Sequence, residues 1–148
     1  MPARFNIRVY LLLLQENKIL VSDEIIKGKP YTKFPGGGLE FGEGTIDCIK
    51  REAREELHQE VNVIDHFYTT DFFIQSTFRE NDQVVCIYFK VALIEKQQFK
   101  TSNRKFDFVQ TEKDEESFRW VKFSDLDSEI FSFPGDVAVV KQLINKLK

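Results

Sequence analysis

Glu43, Glu52, Glu55 and Glu56, with a glycine run, mark the stretch from Gly36 to Val61, GGGLEFGEGTIDCIKREAREELHQEV. Glu52, Glu55 and Glu56 are spaced i, i+3 and i+4, so on a helix they lie side by side within one turn. Like charges at that spacing cost about a few tenths of a kcal/mol per pair. A chain that keeps them grouped usually has a cation to put there. Together with Glu43 they offer oxygen donors only, which select a hard ion, Mg²⁺ or Mn²⁺, rather than zinc. Gly36, Gly37 and Gly38 permit backbone conformations and close approaches that a tight loop beside a phosphate needs. Carboxylates, a hard cation and a glycine loop suit attack of water on a phosphoanhydride. The cation would offset phosphate charge and lower the pKa of a bound water, while the protein supplies positioning and electrostatics.

These acids need a helix to hold them, and the same stretch describes one. At about 100° per residue, Ile46, Ile49, Ala53 and Leu57 fall within a sector of roughly 80°. Glu52, Glu55 and Glu56 occupy the adjacent sector, Glu56 nearest the stripe, with Arg51, Arg54 and His58 further round. Thr45 reads as the N-cap, and Asp47 suits the positive end of the helix dipole. Taken alone, KREAREE fits a solvated, salt-bridged face equally well.

The full spacing separates the two readings. Gly37, five residues, Glu43, seven residues, then Arg51-Glu52-Ala53-Arg54-Glu55-Glu56 resembles the box of the Nudix (MutT-like) hydrolase family, G-x5-E-x7-R-E-U-x-E-E-x-G-U. Two positions depart from it: His58 stands where the box has its last glycine, and Gln59 where it has an apolar residue. Glycine there ends the helix in a left-handed turn, a conformation histidine tolerates less comfortably, so His58 is expected to shape the helix end rather than bind metal.

The resemblance implies an α/β/α sandwich and a Mg²⁺- or Mn²⁺-dependent pyrophosphohydrolase acting on a nucleoside diphosphate derivative. It implies a catalytic set of Arg51, Glu52, Glu55 and Glu56, with Arg51 as ion-pair partner. It makes Glu55 and Glu56 the main metal ligands, Glu52 a ligand or orienter of the attacking water, and Glu43 a supporting group or occasional ligand. Gly36, Gly37 and Gly38 would meet the substrate through their backbone. A further glutamate from the loop before the Trp120 strand often completes such a site; Glu112, Glu115 and Glu116 are all in reach of that role. The alternative is a Nudix-fold nucleotide-binding or regulatory module that has lost catalysis, which the complete set of box acids disfavours.

Bulk properties agree with a small-molecule enzyme. The 148 residues form one ordinary domain, 1–148, with enough material for a core. A net charge of −3 supplies no basic field for a nucleic acid polymer. Cys48 and Cys86 lie far apart without metal-ligand spacing, as expected of reduced thiols in the cytoplasm. No signal peptide or membrane span is legible. With His58 and His66 the only histidines, no Ser/His/Asp or Cys/His signature supports acyl chemistry, and no lysine-bearing P-loop is present.

Along the chain, 5–14 and 18–22 read as a hairpin across Gln15-Glu16-Asn17. Residues 23–33 read as a loop, with a short strand at Tyr31, Lys33 and Phe34. After the helix come a short apolar piece, 61–64, and a long strand, 67–78. A turn at 79–82 leads to a central strand, 83–94, antiparallel to the last. Residues 96–114 are irregular, Glu115-Glu116-Ser117 belong to an acidic loop, and Phe118 to Val121 form a strand. Asp136 caps a last helix whose stripe, Val137, Val140, Leu143, Ile144 and Leu147, packs on the sheet; a homodimer contact is the weaker alternative. Strands, helix, strands, helix describe an α/β or α+β fold with a mixed, partly antiparallel sheet. Tyr31, Phe72 and Tyr88 read as core before they read as stacking platforms.

Overall fold

The computed structural model describes residues 1–108 and 115–147, which form two compact units. The first comprises 1–13 and 35–97, the second 14–34 and 98–148.

The first unit is built on β1 (Arg4–Gln15) as far as Leu13. Val9 to Leu13 are consecutively buried, the pattern of a strand covered on both faces. Strand β1 pairs in parallel with β6 (Asp82–Leu93), from Arg4 opposite Asp82 to Leu13 opposite Val91. On its other edge it pairs antiparallel with the glycine strand β4 (Gly36–Gly38). Strand β5 (Val61–Thr69) lies antiparallel on β6, giving a mixed sheet in the order β4-β1-β6-β5. The expected central strand is thus β6, with a neighbour on each edge. The strand expected over 67–78 forms only at its start, as the end of β5, which begins at Val61, runs antiparallel to β6 through two irregularities and stops at Thr69. Residues 70–78 are instead tied down piecewise, with the Thr70 hydroxyl accepting from Cys86 N–H and the Gln75 amide bonding the Asp82 carbonyl.

Helix α1 (Thr45–Leu57) joins β4 to β5. Its buried face is Cys48, Ile49, Glu52, Ala53 and Leu57. Ile46, expected in that stripe, is 47% exposed, and Cys48 takes its place.

The second unit centres on β2 (Lys18–Ile26), which runs four residues beyond its expected end. Glu16 and Asn17, both at positive φ, make the tight turn from β1, with Leu14 opposite Ile19. A second such turn, Lys27-Gly28 (φ 50° and 78°), folds β3 (Lys29–Lys33) back onto β2. This converts the loop expected over 23–33 into a hairpin; a left-handed pair of residues matches the strand twist, and the Gly28 signal supplies half of it. Strand β7 (Glu115–Lys122) pairs antiparallel with the other edge of β2. Glu115 and Glu116 therefore open a strand instead of lying in a loop.

Between β2 and β7, the Asp23 carboxylate accepts from Arg119 Nε at 2.8 Å and Nη2 at 3.1 Å, and from the Thr32 hydroxyl at 2.7 Å. Asp23 is fully buried, so this bidentate pair compensates a charge that burial would otherwise make costly. Helix α2 (Pro134–Leu147) begins with proline, preset for a first helical position. Asp136 is buried inside its first turn instead of capping it, and Val139, Val140 and Leu143 form its buried side.

Candidate active site at the glycine strand and helix α1

Helix α1 is fixed at both ends. Gly44, not Thr45, is the N-cap, and the Asp47 carboxylate accepts its N–H at 3.1 Å. His58 closes the helix in the left-handed conformation (φ 55°, ψ 33°), its N–H donating to the Arg54 carbonyl at 3.1 Å. The histidine thus adopts the backbone that the missing glycine would have taken. Gln59, where an apolar residue was expected, is buried and donates to the Lys96 carbonyl at 3.1 Å.

With its ends set, α1 serves the open edge of β4. Strand β1 uses the flanking backbone: Leu11 N–H donates to the Pro35 carbonyl at 2.9 Å, and Leu39 N–H to the Ile7 carbonyl at 2.8 Å. Of the glycine groups between, one N–H and one carbonyl go to the helix. Gly36 N–H donates to Glu56 Oε2 at 3.2 Å, and the Gly38 carbonyl accepts from Arg51 Nη2 at 2.9 Å. Between these contacts sits the buried Glu52, against the Cα of Gly37. A β-carbon at position 37 would collide with the Glu52 carboxylate, and one at Gly36 (φ 150°) with Val9 and Tyr10 of β1. Two glycines are therefore required by carboxylate and strand together.

Arg51 is the hub. Its guanidinium meets Glu43 at 2.7 Å, Glu52 at 2.9 Å, Glu55 at 3.1 Å and Glu40 at 3.6 Å. Glu43 commits both oxygens to it, Oε2 to Nε at 3.0 Å and Oε1 to Nη2, and also accepts Glu40 N–H at 2.9 Å. The Arg51 hydrogen bonds, followed by that N–H, hold the Glu43 carboxyl at about 2. Arg51 itself is raised above its ordinary value, Glu43 being the largest cause. Burial pushes the Glu52 carboxyl up, opposed by Arg51 and, further away, by Arg8. Burial and Glu43 push the Cys48 thiol up to about 12, which leaves no thiolate for nucleophilic chemistry.

The expected residues Glu43, Arg51, Glu52, Glu55, Glu56 and Gly36 to Gly38 are thus brought together on β4 and α1. The donor set is hard oxygen, and a single guanidinium faces four of the carboxylates, so negative charge is in excess. That fits a divalent cation. Among the described residues no three His, Cys, Asp or Glu converge as a ready-made cage; the acids turn instead onto Arg51 and the glycine backbone.

Of the candidates for an additional acid, Glu112 lies outside the described residues. Glu115 and Glu116 belong to the second unit, where Glu116 faces Glu24. The Ser22 hydroxyl is 2.8 Å from Glu24 Oε2 and 3.2 Å from Glu116 Oε2, and Lys33 Nζ is 2.9 Å from Glu24. Burial first, and the Glu24 charge next, push Glu116 up to about 7. Lys33 holds Glu24 below its usual range, against the opposing effect of burial. Sequence reading missed this cluster, because residues 23–33 read as a loop and carry no strand-facing meaning there. Of the aromatics, Tyr88 is fully buried, Tyr31 stacks on Phe133 with centroids 5.2 Å apart, and Phe72 is exposed.

Comparison with known proteins decides the family. The NUDIX domain family matches residues 4–143. The chain belongs to the Nudix family. It is accordingly a pyrophosphohydrolase, with the α+β fold, mixed sheet and two helices of Nudix structures. A NUDIX hydrolase from Nitrosomonas europaea superposes with a TM-score of 0.69 at 18% identity, over 99% of this chain and 90% of that one. The MutT protein of the Nudix family from methicillin-resistant Staphylococcus aureus 252 gives 0.66 at 22% identity, over 99% of each chain. A UDP-X diphosphatase gives 0.63 at 17% identity, covering 100% of this chain and 65% of that one. Identities this low speak for the fold alone. Among curated proteins no sequence matches.

Among the described residues of this Nudix chain, no helix is long and apolar enough to cross a membrane.

Proposed function

We propose that this Nudix enzyme hydrolyses the pyrophosphate bond of a nucleoside diphosphate derivative with Mg²⁺ as cofactor, Mn²⁺ serving in its place. The observation that carries the reading is the gathering of Glu52, Glu55 and Glu56 beside the Gly36–Gly38 backbone, with Arg51 the nearest counter-charge. Glu52, Glu55 and Glu56 would hold the ion; when bound, it would offset phosphate charge and acidify a coordinated water. Glu43 is bonded to Arg51 through both oxygens and so acts chiefly on the site's geometry, holding the arginine against the Gly38 carbonyl. Arg51 in turn orients Glu52 and Glu55. Glu52, buried and pushed up in pKa, is the acid of the set best suited to take or orient a proton of the attacking water.

The substrate class is a nucleoside triphosphate, ADP-ribose, a nucleotide sugar or a dinucleoside polyphosphate. The likeness to a UDP-X diphosphatase puts nucleotide sugars in the first panel to be tried. The test is product release from such a panel, followed by mass spectrometry with and without Mg²⁺, against Glu56→Gln. Turnover is expected only with the divalent ion and should fall by about 10³-fold in the variant, with its thermal midpoint retained. Equal turnover in Glu56→Gln would remove that residue from the site, and metal-independent turnover would end the proposal.

A further inference from the structure

Arg8 is the one charged side chain among the three β1 residues paired with the glycine strand, Arg8, Val9 and Tyr10. It lies opposite Gly38 of β4 on one side and Cys86 of β6 on the other. Strand periodicity puts Asn6, Arg8 and Tyr10 on one face, and the side chains confirm it. Arg8 Nε donates to the Tyr10 hydroxyl at 2.8 Å, and the guanidinium carbon sits 5.7 Å from the Tyr10 ring centroid. Tyr10 is itself stacked on the fully buried Tyr88, centroids 5.3 Å apart. The guanidinium is therefore held by one of its five N–H groups against a rigid aromatic pair. Its two terminal nitrogens make no hydrogen bond or ion pair among the described residues.

An arginine that is half-buried, immobilised and short of acceptors calls for an explanation. Burial works against the charge, yet the Tyr10 contacts and the fields of Cys86 and Glu52 outweigh it and raise the group above its ordinary value. The cation is kept. Nη1 lies 3.7 Å from where a β-carbon of Gly38 would stand, so the third glycine leaves open the space next to the fork. Glu52, the buried carboxylate of the site, feels the Arg8 charge as well. A guanidinium fork is the protein group best matched to two oxygens of one phosphoryl group.

We propose that Arg8 is a substrate-binding residue, its two terminal nitrogens taking the non-bridging oxygens of a phosphoryl group of the diphosphate, with Tyr10 as the positioning residue that aims the fork. The assignment rests on the function proposed above for the neighbouring carboxylates, and adds to them a fixed positive group on the strand opposite the glycines. The fork binds the diphosphate before and during cleavage alike, so its loss weakens binding more than it slows chemistry.

Inorganic pyrophosphate is the probe, its affinity read by titration calorimetry in Mg²⁺, alongside KM and kcat on whichever nucleotide is turned over. Arg8→Met keeps the stem over Tyr10 and removes the fork; pyrophosphate binding and KM should each worsen by about 10- to 100-fold while kcat changes by less than about threefold. Arg8→Lys, which restores charge without the fork, should recover only part of the loss. Tyr10→Phe should cost less than either. If Arg8→Met proves unfolded by circular dichroism, the lysine variant decides: wild-type affinity and KM in it overturn the fork. Wild-type pyrophosphate affinity in a folded Arg8→Met overturns the proposal, as does a wild-type protein that binds no pyrophosphate. An Arg8-dependent pyrophosphate site in a protein that hydrolyses nothing would uphold Arg8 and refute the hydrolase function.

Discussion

Two groups of glutamates in this molecule gather round different cations, and their most strongly shifted members move in opposite directions. In the first unit Glu40, Glu43, Glu52 and Glu55 surround Arg51, and Glu43 is held at about 2. In the second, Glu24 and Glu116 face Lys33 and the Ser22 hydroxyl, and Glu116 is pushed up to about 7. The difference lies first in burial, which raises Glu116 and only weakly opposes the lowering of Glu43, and then in the cation. A guanidinium spreads five donors over a planar fork and can satisfy several carboxylates at once, whereas an ammonium is a compact point charge. Lys33 is already engaged by Glu24 and donates to the Phe34 carbonyl at 3.2 Å, so Glu116 receives the repulsion of Glu24 with little of the compensation.

Removing the hub is the most severe way to break this contrast. Arg51→Met should leave Glu43, Glu52 and Glu55 as uncompensated neighbours and free the Gly38 carbonyl. Misplacement of the carboxylates by about 1 Å is worth about 100-fold in rate, so kcat/KM should fall by that order. Raised Mg²⁺ should recover part of the loss, since the ion can replace the missing counter-charge. Arg51→Lys should behave like Met in rate but melt nearer wild type. A Met variant with wild-type kcat/KM would show that Arg51 merely decorates the helix.

A smaller effect sharpens the other side. Glu116 titrates higher in the folded protein than in the unfolded chain, so folding retains a proton that the unfolded state releases. Its stabilising effect is present at low pH, up to the unfolded value near 4.5, and is lost as pH rises towards about 7. Glu24, lowered, acts in the opposite sense and below that window. Because the Glu116 side chain reaches solvent, screening reduces the effect below what the shift alone would give. The wild-type thermal midpoint should therefore decline between about pH 5 and 7.5 by about a few degrees, and Glu116→Gln should flatten that decline. Some slope will remain, since Glu52 is raised too. An unchanged slope in the glutamine variant would exclude the retained proton.

How much of this was legible in the chain depends on the reach of each interaction. The acids of α1 declared themselves because helix spacing is local and Glu43, Arg51, Glu52, Glu55 and Glu56 sit within fourteen residues of one another in sequence. The strand at β6 did so because VVCIYFKVALI has no competing period. Cys48 is buried in place of Ile46 although a 100° wheel puts it well outside the stripe; its thiol lies 3.7 Å from the Gly38 carbonyl of β4, a contact that hydropathy does not register. The Glu24–Lys33–Glu116 cluster depends on registers between β2, β3 and β7, Ser22 opposite Lys33 and Glu24 opposite Glu116. Such pairings over up to a hundred positions leave no local trace. Arg8 left a weak one: a single charge interrupting an apolar strand, whose meaning appears only once Gly38 and Tyr10 are placed beside it.

The smallest predicted effect concerns the end of α1, where the first unit departs from its family's box. His58 holds φ 55°, a left-handed conformation that costs a side-chain-bearing residue about 1 to 2 kcal/mol. Glycine would relieve that cost but lose more backbone entropy on folding, about 0.5 to 1 kcal/mol. His58→Gly should therefore stabilise by roughly 0.5 to 1 kcal/mol, as a higher denaturant midpoint at unchanged m. The His58 backbone, not its exposed ring, supplies the hydrogen bond to Arg54, so nothing else is lost. Because the carboxylates lie a turn earlier and are held by Arg51 and the glycines, kcat/KM should stay within about twofold of wild type. A destabilised variant would mean that the imidazole does more at the helix end than fill a backbone position, and a slowed one would tie the helix terminus to the arrangement of Glu55 and Glu56.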